Sequence, residues 1–123
     1  MPIKIYSTLF LTILSPFMRV TGMSIFPFVI MRKEFKDPFT AKDKLKREKL
    51  IRHETIHFKQ QIELLIIPFY ILYISEFIIR FIIHINFKKA YKNISFEQEA
   101  NSNEEDFNYL EKRKLYSWVK YLK

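Results

Sequence analysis

Cysteine is absent from this chain, and glycine occurs once, at Gly22. Without cysteine there are no disulfides, no cysteine–zinc sites and no thiol chemistry. A single glycine excludes a glycine-rich phosphate loop and argues against a β protein built on many turns. Histidine is scarce too. His53, His57 and His84 are the only three, so any metal site must be made from them together with carboxylates or water. At 123 residues the chain is read as one domain, 1–123, with a single modest core. No internal repeat or low-complexity segment interrupts it.

Isoleucine, phenylalanine and positive charge are plentiful. The net charge is +8, and residues 32–52 hold nine Lys/Arg against four acids. Such a balance suits a nucleic acid, an anionic membrane surface or an acidic substrate. The basic stretch at 42–52 carries no reading-helix or aromatic RNA-binding signature, so a nucleic-acid partner is not expected. Beside a long apolar segment, a membrane surface is the more economical partner. The apolar N-terminal run, MPIKIYSTLFLTILSPFMRV, lacks the small-x-small cleavage site of a signal peptide and is read as part of the mature chain.

Along the chain, residues 3–14 suggest a short helix ended by Pro16. GMSIFPFVIMR follows Thr21 and reads as a strand, with the β element placed at about 24–31 and Pro27 confining it to an edge or bulge. A turn-rich loop around Asp37-Pro38 leads to Thr40 or Asp43 as a helix cap. A helix at about 43–66 then presents Leu45, Leu50, Ile51, Ile56, Phe58, Ile62, Leu64 and Leu65 at helical spacing. LLIIPFYILYISEFIIRFIIHINF predicts a second, apolar helix at about 69–86, with Glu76, Arg80 and His84 as a polar stripe spaced for ion pairing. Ser95 with Gln98 matches a capping box and starts a C-terminal helix at about 96–121. The fold class is mainly α.

HETIH, residues 53–57, lies on the first of these helices. His53 and His57 then share one face a turn apart and can bind one ion. Zinc takes imidazole nitrogen, and a catalytic site keeps three protein ligands with one position open. Glu54, beside the first histidine, is placed to accept a proton as general base. The missing ligand is sought in FEQEANSN, residues 96–103.

HETIH followed by EQEAN resembles the gluzincin pattern of the ImmA/IrrE-type and minigluzincin peptidases. The resemblance implies a compact zincin-like domain with Zn held by His53, His57 and Glu97, and Glu54 as the catalytic base. Asn101 would be the hydrogen-bond partner of a ligand histidine, a position where the family more often has aspartate. The strand at 24–31 would flank a cleft for a peptide or protein substrate. The family's oxyanion donor has no clear counterpart, and Tyr91 and Tyr109 are the tyrosines weighed for it. The longer phrases GMSIFPFVIMR, HETIHFKQQIELLIIPFY and YKNISFEQEA also resemble a group of short bacterial proteins, chiefly from Bacteroidetes, a likeness that carries no activity with it.

The apolar segment sets a geometric test. Residues 64–85 are long enough to cross a bilayer. If 57–86 were one straight helix, His57 and Asn86 would lie about 44 Å apart. The eleven residues from Asn86 to Glu97 span at most about 40 Å, so Glu97 could not return. A simple span and a His-His-Glu site are therefore mutually exclusive. Pro68 is the expected breaking point, with the second helix packing back antiparallel. The functional expectation is a small membrane-associated zinc metallopeptidase, its HExxH side cytoplasmic under the positive-inside rule. The rival is a non-enzymatic single-span membrane protein with a chance HExxH.

Overall fold

The structure, a computed structural model, describes residues 3–9, 11, 22–36 and 40–122. Among them are three short strands, β1 (Ile3–Tyr6), β2 (Gly22–Ile25) and β3 (Phe28–Met31), forming one sheet in the order β1-β3-β2. β1 runs parallel to β3, and β2 pairs antiparallel with it. The helices are α1 (Ala41–Glu63), α2 (Ile67–His84), α3 (Phe87–Asn93), α4 (Ser95–Asn103) and α5 (Tyr109–Lys112), with 3-10 turns at Lys33–Phe35 and Ser117–Tyr121. The mainly α expectation holds, with a larger sheet than foreseen.

Two β expectations change. Residues 3–6 form a strand rather than a helix, because β3 offers them a parallel partner remote in sequence. The expected end of that helix at Pro16, like the turn at Asp37-Pro38, lies outside the described residues. The element at 22–31 is a hairpin rather than one strand. Its turn is Phe26-Pro27, joined by a cis peptide bond, which leaves β2 on the sheet edge. Gly22 lies where β2 meets α1. A Cβ there would sit 3.0 Å from Leu50 Cδ1 and 3.3 Å from the Ile30 carbonyl, so a larger residue would have to push Leu50 aside.

Thr40 starts α1, its Oγ1 accepting from the Asp43 N–H. The buried face of α1 is not the one its apolar residues suggest. Ile56 and Phe58 are inside, but Leu45 and Ile62 are exposed, while His53, Glu54, His57, Gln60 and Gln61 are buried. A helix that turns its titratable groups inward marks the place to look for a site.

α1 ends at Glu63, three residues before the expected Ile66. The Ile66 N–H bonds to the Gln61 carbonyl and the Leu65 N–H to the Ile62 carbonyl, the paired closure usually built on glycine. Here Leu65 takes the left-handed position, φ 61. Ile66 follows at φ 67, ψ −71, and the Ile67 N–H closes back on the Leu65 carbonyl. This tight turn on a β-branched residue is strained. Pro68 does not make the break. It sits in the first turn of α2, where its missing N–H costs nothing. The fold-back itself occurs as expected, and α2 begins at Ile67 rather than 69.

The predicted helix at 96–121 is broken into α4, α5 and a 3-10 turn, and α3 precedes it. Ser95 is not its cap. The Ser95 N–H and Oγ both donate to Glu76 on α2, at 2.7 and 2.6 Å. Glu76 thus satisfies an orphan donor at the α4 N-terminus and pairs with Arg80 at 3.7 Å, whereas His84 is exposed and completes no ladder with them. Phe69, Ile94 and Phe96 form the core between α2 and α4, with Trp118 packed on it.

Candidate metal centre

His53 and His57 leave α1 one turn apart, and Glu97 reaches them from the first turns of α4. All three are buried. The Nε2 atoms of the two histidines are 3.3 Å apart. One Glu97 oxygen lies 3.2 Å from His53 Nε2 and the other 3.1 Å from His57 Nε2. Ligand atoms at about 2.0–2.1 Å from a tetrahedral ion lie about 3.3 Å from one another. The two imidazole nitrogens have that spacing, each faces its own oxygen of the Glu97 carboxylate, and one ligand atom from each of the three residues lies within 4.8 Å of the others, so these residues could hold a metal ion.

The surrounding hydrogen bonds decide which atoms face the centre. Gln60 Nε2 donates to the Phe96 carbonyl at 3.1 Å and to Glu99 Oε1 at 2.9 Å. Reversing the amide would set its oxygen against two acceptors. Gln60 Oε1 therefore faces His57 Nδ1, at 2.8 Å, and Nδ1 must carry the proton. Glu104 Oε2, 2.6 Å from His53 Nδ1, imposes the same tautomer on His53. Both Nε2 lone pairs and the Glu97 carboxylate then converge as acceptors, an arrangement that asks for a cation.

The carboxylates around the centre favour positive charge there, on the imidazoles themselves. Burial alone would lower His53, yet hydrogen bonding to Glu104 and Glu97 outweighs it and raises its pKa well above the ordinary value. Burial also opposes His57, which is nevertheless raised by the charge of Glu97. Burial would raise Glu97, but His57 and His53 hold it far below the usual carboxylate range. Burial dominates at Glu54 and raises its pKa, and its Oε2 stands 3.9 Å from His53 Nε2.

Asn101 is corrected. It is exposed, and the Nδ1 atoms it was expected to serve are occupied by Glu104 and Gln60. The reason is angular. At 100° per residue a position four beyond Glu97 is displaced by about 40°, and one seven beyond by only about 20°. Glu104 lies on the better-aligned azimuth with a longer side chain, so the spacing of Glu97 and Glu104 was the signal to follow. Gln60, three residues after His57, was likewise missed.

A cleft of about 460 Å³ opens beside Glu54, His57 and Glu97, between the edge strand β2 and the inner face of α2. Tyr73 donates to Glu97 Oε2 at 2.6 Å. Tyr91 borders the cleft. Burial and then the charge of Glu97 raise its hydroxyl pKa well up, so it stays protonated. Tyr109 is elsewhere, donating to Glu99 Oε2 at 2.6 Å. Gln61 reaches across to β2, giving its amide N–H to the Ser24 carbonyl and accepting the Phe26 N–H, at 3.0 and 2.9 Å.

Behind the centre, Arg113 forks onto Glu63 and Glu99. Glu99 also accepts from Gln60 and Tyr109. A chain of contacts thus runs from Arg113 through Glu99 and Gln60 to the back of His57. Comparison with protein-family models, curated proteins and solved structures finds no match for this chain.

Proposed function

We propose that this chain is a small membrane-associated zinc metallopeptidase of glutamate-zincin type. His53, His57 and Glu97 would hold the ion, and Glu54 would act as general base. The observation that carries the reading is the convergence of two tautomerically fixed Nε2 atoms, 3.3 Å apart, on one carboxylate whose two oxygens lie 3.2 Å from His53 and 3.1 Å from His57. Zinc is the ion that histidine and carboxylate ligands at tetrahedral spacing suit best.

A bound zinc ion would supply Lewis acidity, lowering the pKa of a water and polarising a peptide carbonyl. The chain's own residues account for the rest. Glu54 takes a proton at its carboxylate and returns it to the leaving amine. Tyr73 and Tyr91, at the cleft wall, both turn their hydroxyls to Glu97, and one of them would have to leave that carboxylate to donate to a developing oxyanion. The edge strand β2 borders the cleft, with Gln61 already bonded to its Ser24 carbonyl, and an extended peptide would pair with the main-chain groups left on that edge. The rival single-span reading requires Glu97 far from His57, whereas the contact between them is 3.1 Å.

Elemental analysis of the detergent-purified protein tests this. The parent should carry near-stoichiometric zinc, and His57→Ala and Glu97→Ala should each lose it. Glu54→Gln should keep the metal and lose hydrolysis of a mixed peptide library by ~100-fold or more. A well-folded parent without zinc would falsify the assignment. Zinc that survives Glu97→Ala would reduce the centre to two histidines and remove its likeness to a gluzincin.

A further inference from the structure

α2 is long and apolar enough to cross a membrane, and the side chains around it decide how it would meet one. At 100° per residue its exposed positions, His84 at its very end excepted, fill about half of its circumference. On that half lie seven isoleucines between Ile67 and Ile83, together with Leu72 and Ser75. No charged residue falls among them. Glu76, Arg80, Tyr70 and Tyr73 all belong to the opposite half, against the body of the protein. An uncharged face of this size on a chain of net charge +8 is not a surface made for water.

α3 fixes the orientation. It runs back along the second half of α2, with Phe87 against Phe81 and Phe77 at ring separations of 4.7 and 6.2 Å, and the chain is level with Glu76 again by Ser95. Lys88, Lys89 and Lys92 are exposed on this returning helix. Were α2 upright across the hydrocarbon, these lysines would lie within it beside residues 77–84, where each costs about 2.5–3.5 kcal/mol. With α2 flat at the interface, the same lysines meet phosphates and the isoleucines meet acyl chains.

We infer that α2 lies in the plane of an anionic lipid leaflet, apolar half down and α3 lysines on the headgroups, without crossing the bilayer. Ile74 belongs both to this face and to the cleft wall, so the mouth of the cleft opens at the lipid surface. For the proposed peptidase this directs the site toward peptide segments held at the membrane–water boundary, a consequence that rests on the peptidase reading. The seating itself does not.

The absence of cysteine makes the test direct. Ile71→Cys, Ile78→Cys and Ile82→Cys place spin labels within about 40° of one another around α2 and spread about 16 Å along it. In vesicles of equimolar phosphatidylcholine and phosphatidylglycerol, relative accessibility to oxygen and to a nickel chelate reads their depth. One shared, shallow depth is expected. Depths that differ by about 16 Å mean a crossing helix and overturn the inference. Labels shielded from both reagents and broadened by one another mean a second copy covers the face, which also overturns it. Separately, replacing Lys88, Lys89 and Lys92 together by Gln should weaken binding to these vesicles on the order of 100-fold, and unchanged binding counts against the headgroup contact. Zinc content measured on the same samples keeps the two readings apart, since either can fail while the other stands.

Discussion

Two faces of this molecule invert the usual arrangement. Between α1 and α4 the interior holds His53, Glu54, His57, Gln60, Glu97 and Glu99, all buried. On α2 the exterior is a sheet of isoleucines, Ile82 at 69 % and Ile83 at 62 % exposure. Buried charge survives only when it is paired and hydrogen-bonded, and the interior meets that condition group by group. Exposed apolar surface persists only where the surroundings are not water. The two faces share α2, whose inner half supplies Tyr73 to the centre while its outer half stays apolar. One helix therefore couples the candidate site to the medium outside.

The sharpest way to break the interior is through Arg113. Its removal in Arg113→Met leaves Glu63 and Glu99 buried with no cation between them. A loss of about 3–5 kcal/mol in denaturant unfolding is expected, and a cost below about 1 kcal/mol would mean that the pair is well solvated. Next comes a matched comparison of the two faces. Ile56→Ala should destabilise by about 2–5 kcal/mol, since Ile56 is fully buried. Ile78→Ala, measured in the same detergent, should stay within about 0.5 kcal/mol, and equal effects would erase the distinction drawn here.

Gln60→Leu addresses the tautomer. His57 loses the acceptor that fixes its Nδ1 proton, and zinc affinity should fall about 10–100-fold, read by chelator competition. Affinity that does not move would show the imidazole to be oriented by packing alone. The smallest effect belongs to the turn. Leu65→Gly should relieve left-handed strain and raise the unfolding free energy by about 1 kcal/mol or less, whereas a clear loss of stability would place the restraint in the Leu65 side chain.

Local features were legible in the sequence. Thr40 capped its helix, HETIH gave two histidines on one helical face, and Glu97 was reachable once the chain folded back. What could not be read there depends on partners remote in sequence. β1 is four residues long and is stabilised by β3. Tyr73 meets Glu97 only because of the angle at which α2 returns. Asn101 was named from the family pattern alone, and Glu104, which meets His53 Nδ1, went unnoticed. The apolar spacing on α1 misidentified its buried face, because the groups placed inside it are polar.

The reversal at Leu65 and Ile66 has a consequence for how the two faces stay in phase. Its three backbone hydrogen bonds, onto Gln61, Ile62 and Leu65, leave no slack between the end of α1 and the start of α2. Inserting one residue there would turn α2 by about 100° about its own axis. Tyr73 would swing away from Glu97, and isoleucines would rotate toward the cleft. The turn thus acts as an indexing pin, and its length, more than its composition, keeps the tyrosine on the carboxylate and the isoleucines outside.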